Sequence, residues 1–217
     1  GDMQHTSADP ITQGCRMFKS DHEIALMHKA NEITLRAYQH VYANLALGMS
    51  QQDVNQLMSS AQAQLGGSGI WTMALFNEAS AYPHGSKQAQ TINNGSVVLM
   101  DCGCAVQGYQ SDISRTFVFG EPSKKQQKIW QTVRKGQQIA FEKAQIGVPA
   151  GAVDDAVRAY YQSQGLGPEY QLPGLSHRTG HGIGMEGHEP VNFVHQEQTL
   201  LQAGMCFSDE PGIYIPG

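Results

Sequence analysis

Apolar residues recur at steps of three and four through Leu26, Ala30, Ile33, Ala37, Val41 and Leu45, which predicts a helix with one buried stripe. Ser20 followed by Glu23 forms a capping box at its start, and Gly48 is its stop. A second helix begins at Ser50, carries Asp53 in its first turn, buries Val54, Leu57, Met58, Ala61 and Leu65, and stops at Gly66-Gly67. Residues 70–76 read as a strand, residues 77–95 as a loop, and residues 97–101 as a short buried strand that ends on Asp101. Residues 105–119 have the pattern of paired strands punctuated by Gly108 and Gly120. Ser123 then caps a third helix with apolar positions Ile129, Val133, Ala140, Phe141 and Ala144. A fourth follows Gly147-Val148-Pro149 and carries Val153, Val157, Tyr160 and Tyr161. Residues 172–215 return to strand and loop, and residues 1–19 read as a loose polar lead-in.

Helix, helix, strands thus occurs twice. The repeat predicts an α+β fold in which two halves pair their strands into one curved antiparallel sheet, with helices on its outer face. No linker divides residues 20–217, so they are expected to form one domain. The chain has 217 residues and a net charge of -5 without runs of like charge, which argues against nucleic acid or an anionic membrane as partner. No apolar run approaches the roughly 18 residues a membrane span needs. The first residues contain neither a basic stretch nor an apolar core like those of a secretory leader. Cys15, Cys102, Cys104 and Cys206 form no C-x-x-C pair. They read as small buried residues of a reducing compartment, so a cytoplasmic location is expected.

The candidate chemistry lies in two sets of residues. His177, His181 and His188 fall in a segment too rich in glycine for a stable helix, so irregular backbone brings three imidazoles together. Asp101, Asp112 and Glu210 each lie in or beside an apolar strand, where an unpaired carboxylate costs several kcal/mol, roughly. On residue types alone, two readings stand. The histidines are ordinary loop residues and Asp112 pairs with Arg115 at the surface, or the acids and imidazoles converge on divalent metal.

The motifs in order are Ser80-Ala-Tyr-Pro-His84-Gly, Leu99-Met-Asp101-Cys-Gly, Gly108-Tyr-Gln-Ser-Asp112-Ile-Ser-Arg, Gly180-His181-Gly-Ile-Gly, His188-Glu-Pro and Glu210-Pro-Gly-Ile-Tyr-Ile. Together they resemble the creatinase/methionine-aminopeptidase superfamily (M24-type), in its Xaa-Pro dipeptidase and Xaa-Pro aminopeptidase branch. The resemblance runs from about residue 16 to the end of the chain. It implies the pita-bread fold, a pseudo-twofold form of the α+β arrangement above. It also implies a metal-dependent peptidase that cuts the Xaa-Pro bond of dipeptides or peptides through a hydroxide bridging two divalent ions. Manganese is expected first, with cobalt, iron or zinc as alternatives. By the resemblance Asp101 binds one ion, Asp112 bridges both, and His181 and Glu210 bind the other; Glu210 is also the general base. His84, His188 and His177 face the substrate, a peptide with proline second, and the enzyme is a homodimer.

Two departures bear on these expectations. The family's usual N-terminal domain has no counterpart before Ser20. Its fifth ligand, a glutamate beyond the Glu-Pro-Gly motif, is not reached before Gly217. The expectation is therefore a C-terminally truncated catalytic domain without its last strands, with weakened metal binding and activity in doubt. Rival readings are a methionine aminopeptidase or lyase on the same fold, a metal-free creatinase-like or binding member, and an unrelated α+β domain. Asp209 has no account in this reading.

Overall fold

The computed structural model describes residues 5–82 and 89–215. In the first half, α2 (Asp21–Asn44) and α3 (Gln51–Gln64) cover one face of a four-stranded antiparallel sheet. In that sheet the central β2 (Val97–Val106) pairs with β1 (Ser68–Phe76), β3 (Tyr109–Gln110) and β4 (Ile113–Val118). The expected capping box of Ser20 with Glu23 forms, and Ser50, expected only as the start of a helix with Asp53 in its first turn, makes a second box with Asp53. Alternation in the strands sends Ala74, Phe76, Val98, Met100 and Cys102 under the helices, against Ala37, Val41, Val54 and Met58. The intervening positions, among them Met73 and Asp101, face the other way, and there the site is built.

Two expectations about this half change. Asp101 does not end its strand: β2 runs five residues further, because Cys102, Gly103, Cys104 and Ala105 are small enough to remain in the sheet under α2. The polar lead-in also contains a helix, α1 (Asp9–Met17), with Pro10 in its first turn and Arg16 in its last. It buries no residue of its own and has no side-chain cap, so only Pro10 marks its start.

In the second half, α4 (Lys124–Lys143) packs on α5 (Ala150–Ser163). Phe141, expected inside, is 70% exposed. The buried face of α4 is instead Thr132, Gly136 and Ala140, because the Tyr161 ring of α5 occupies the space where a side chain at Gly136 would lie. Val153, Val157 and Tyr161 form a second core with Val191, Phe193 and Leu201. The strands here are short: β5 (Gly180–Gly182) pairs with β6 (Glu189–Phe193), and the 206–210 segment runs beside β5 without regular strand geometry. Its register is fixed by Ser208 N donating to His181 O at 2.8 Å and Glu210 N to Thr179 O at 3.0 Å. The sheet thus appears as a four-stranded and a two-stranded piece, linked where Gln110 N donates to Gly184 O at 2.8 Å. No helix among the described residues is long and apolar enough to cross a membrane.

Of the cysteines, Cys102 and Cys104 are buried as expected, Cys206 is half-buried, and Cys15 is exposed on α1, contrary to the expectation of burial.

Candidate metal centre

Asp101 sits mid-strand in β2, opposite Met73 on β1 and Ser114 on β4. Ser114 Oγ donates to its Oδ1 at 2.9 Å. Asp112 lies in the two-residue break between β3 and β4, and Gly103 makes that break possible. A Cβ at Gly103 would lie 2.0 Å from Ser111 O and 2.6 Å from the Trp71 indole nitrogen. Ser111 is locked beneath, with Oγ 2.8 Å from Thr34 Oγ1 on α2 and receiving Cys104 N at 3.0 Å. The chain therefore turns at a fixed point, and the Asp112 carboxylate, 9% exposed, enters the site.

His181 comes from the other half and is 1% exposed. Its Nδ1 lies 3.0 Å from Gly182 O, an acceptor only, so Nδ1 carries the proton and Nε2 is turned to the acids. Nε2 is 3.0 Å from Glu210 Oε1 and 3.5 Å from Asp112 Oδ2. Ser208 receives the His181 amide at 3.0 Å and donates to Glu210 Oε1 at 3.2 Å, so one hydroxyl orients both.

Electrostatically, the site is short of positive charge. Burial, then the neighbouring Asp112 carboxylate, pushes Asp101 up to about 7. Burial disfavours a charged His181, but its bonds to Asp112 and Glu210 outweigh this and raise it to about 9. Burial likewise works to raise Glu210, and the His181 bond overcomes it, leaving Glu210 below the usual carboxylate range. Among the described residues no Lys or Arg forms an ion pair with Asp101, Asp112 or Glu210. The alternative pairing is set aside: Arg115 is exposed and donates to Ser114 O at 2.8 Å, with no ion pair to Asp112. Three carboxylates around one imidazole, in a buried setting with no Lys or Arg paired to them among the described residues, suit divalent metal. Ligand atoms of Asp112, His181 and His188 lie within 4.8 Å of one another, the distance range of a metal-ligand set.

His188 is exposed, its ring crossing that of His181 at 86° with centroids 4.4 Å apart. Burial of its ring and the charge on His181 lower its pKa. His177 is engaged at both nitrogens: Nδ1 donates to Arg178 O at 2.7 Å, and Nε2 accepts from Tyr214 OH at 2.9 Å. Burial lowers the pKa of that ring. His84 lies outside the described residues. Asp209 is half-buried, its Oδ1 has no partner among the described residues, and burial, then the charge of Glu210, pushes it up to about 7.

Sequence reasoning missed the polar residues that hold the site, namely Ser114, Ser208, Thr179 and Tyr214. Behind them stands the buried Asp154, which accepts from Thr179 Oγ1 at 2.7 Å and Arg158 Nε at 2.7 Å. Ser114 and Tyr214 lie inside the quoted motifs, but no helical or strand period marks what these side chains hold.

The sequence pattern of "Metallopeptidase family M24" matches residues 25–217. An Xaa-Pro dipeptidase of Lactobacillus delbrueckii subsp. lactis is 36% identical over 205 residues, 93% of this chain and 54% of its own. Two solved structures superpose closely. The X-Pro aminopeptidase from Thermotoga maritima MSB8 has a TM-score of 0.90 at 29% identity, covering 96% of this chain and 58% of the other. The prolidase from Pyrococcus furiosus has a TM-score of 0.90 at 31% identity, covering 97% and 62%. The architecture is therefore the pita-bread α+β fold expected from the motifs. The chain spans somewhat over half the length of the curated relatives it matches, between 54% and 59%.

Proposed function

The chain belongs to metallopeptidase family M24, and from that premise we propose that it hydrolyses the bond between an N-terminal residue and proline. The observation that carries the reading is the set of three converging carboxylates compensated only by His181 among the described residues. We take residues 20–217 as the catalytic unit. Asp101, Asp112, His181 and Glu210 would hold two divalent ions, manganese foremost, with cobalt, iron or zinc as substitutes. When bound, such ions acidify a water to a nucleophile at neutral pH and polarise the scissile carbonyl.

The chain's own residues do the rest. Glu210, oriented by Ser208, takes the proton of the attacking water and passes it to the departing proline nitrogen. His188, exposed beside His181, offers a ring N–H to the oxygen that gains charge as the carbonyl is attacked. His84 is assigned the same task. His177 borders the substrate side through Tyr214, whose hydroxyl it holds. The proline nitrogen in an Xaa-Pro bond has no N–H, so recognition rests on shape and carbonyl contacts. By the same resemblance the enzyme acts as a homodimer in the cytoplasm, which sedimentation and cell fractionation would test.

The deciding experiment compares Xaa-Pro dipeptides, longer Xaa-Pro peptides and Met-Ala peptides in saturating manganese. The reading expects turnover of Xaa-Pro substrates, abolished by Asp112→Asn. Preference for Met-Ala peptides would move the enzyme to the methionine-aminopeptidase branch, and metal-independent turnover would overturn the metal site.

A further inference from the structure

Glu189 is a carboxylate that the chemistry above does not use, yet it is saturated with donors. Its Oε2 accepts from Lys19 Nζ at 2.9 Å, and its Oε1 from Arg16 Nη2 at 3.0 Å. The same Oε1 accepts the backbone N–H groups of Met185 at 2.9 Å and Glu186 at 3.2 Å. The Lys19 and Glu189 side chains are 3% and 4% exposed. Such a pair is poor evidence of stability, because desolvating both charges offsets most of their attraction. Its geometry is more informative. Glu189 opens β6 opposite Gly182, and Met185 and Glu186 lie in the turn between these two strands. One side chain therefore ties the turn to its own stem, and His188 hangs between the ties.

The packing leaves no slack. A Cβ at Gly184 would lie 2.7 Å from Glu189 Oε2 and 2.7 Å from Lys19 Cε. Lys19 is itself pinned, its backbone N–H donating to Gly204 O at 2.8 Å. Both cations, on α1 and just after it, precede residue 25, where the match to the family pattern begins.

We propose that Glu189, clamped by Lys19 and Arg16, is the positioning residue for His188, so that α1 and the residue pair after it belong to the architecture of the site. The catalytic consequence rests on the hydrolytic reading above; the positioning does not.

The test is a double-mutant cycle with a second readout that needs no substrate. On an Xaa-Pro dipeptide, Glu189→Gln should lower kcat roughly 10- to 100-fold, the scale of a misplaced catalytic group. In the His188→Ala background the same change should cost less than about 2-fold, because coupled residues do not add. Equal losses in both backgrounds would mean a merely structural role and overturn the proposal. In parallel, ring NMR signals of His188 and amide exchange at Met185 and Glu186 are followed in Glu189→Gln, Lys19→Met and the more exposed Arg16→Gln. Shifted His188 signals with faster exchange at those two amides are expected. Unchanged His188 signals in all three variants overturn the proposal whatever the activity. If the parent protein cleaves no Xaa-Pro peptide with any metal, the hydrolytic reading fails, and the NMR arm still decides the positioning.

Discussion

At the scale of single residues, the site depends on what is missing at position 103. A side chain there would overlap Ser111 O at 2.0 Å and the Trp71 indole nitrogen at 2.6 Å, and Ser111 is held by Thr34 and Cys104. Forcing extra atoms into packed surroundings costs roughly 1–3 kcal/mol. Because the obstruction is backbone, Gly103→Ala belongs at or above the upper end. It should also displace Asp112, the next residue, so manganese affinity should fall along with stability. Urea unfolding and calorimetric titration check the two losses. A destabilised variant with unchanged metal affinity would show that the Ser111–Asp112 turn is not what places the carboxylate. Asp101, Asp112, His181 and Glu210 could be singled out only through the ordered motifs and the resemblance they carry, since residue types alone left a surface Asp112–Arg115 pair and ordinary loop histidines open. Ser114, Ser208 and Tyr214 could not, since a lone hydroxyl on a strand is inexpensive and common. Their roles exist only once the two halves meet.

At the scale of elements, capping boxes fix where α2, α3 and α4 start, and α2 has an additional tie. Glu23 bonds back to Ser20 and also accepts the hydroxyl of Tyr109, joining the start of α2 to β3. The Ser20 bonds first and Tyr109 next hold Glu23 at about 2, below its ordinary value of 4.5. A depressed carboxylate contributes stability above its unfolded pKa and loses it as the pH falls through the folded one. The melting-temperature advantage of the parent protein over Glu23→Leu should thus be full at pH 6, shrink below about pH 4.5, and be nearly gone at pH 2. An advantage constant over that range would show that packing, not ionisation, sustains it. Ser20→Ala should cost about 1 kcal/mol at neutral pH. The Ser20 box could be read from Ser-x-x-Glu, and at Ser50 the helix start could be read but not the box that Asp53 completes. Helix α1 could not, because it buries none of its residues and is held by Arg16 and by Lys19 just beyond its end. Nor could the true inner face of α4, where Gly136 and Thr132 replace the expected Phe141 because the partner helix contributes the bulk through Tyr161.

At the scale of the whole molecule, the two halves meet where each is electrostatically incomplete. The first contributes Asp101 and Asp112, the second His181 and Glu210, and among the described residues His181, its pKa raised to about 9 by these acids, is the group that offsets their charge. Metal binding and the joining of the halves are therefore linked. Free ion at 100 times its dissociation constant stabilises the folded state by about 2.7 kcal/mol. In a chain of this size that amounts to a rise of roughly 5–10 °C in melting temperature. Asp101→Asn separates the two contributions. The amide can still accept the Ser114 hydroxyl, so the substitution removes a buried charge repelled by Asp112 without leaving an unpaired group. In chelator the variant should melt at or above the parent protein, whereas on adding manganese the parent should rise by that amount and the variant hardly at all. Thermal scans with and without manganese measure both differences. A variant less stable than the parent in chelator would mean that Asp101 stabilises the metal-free fold. A variant that still gained the full shift would remove Asp101 from the ligand set.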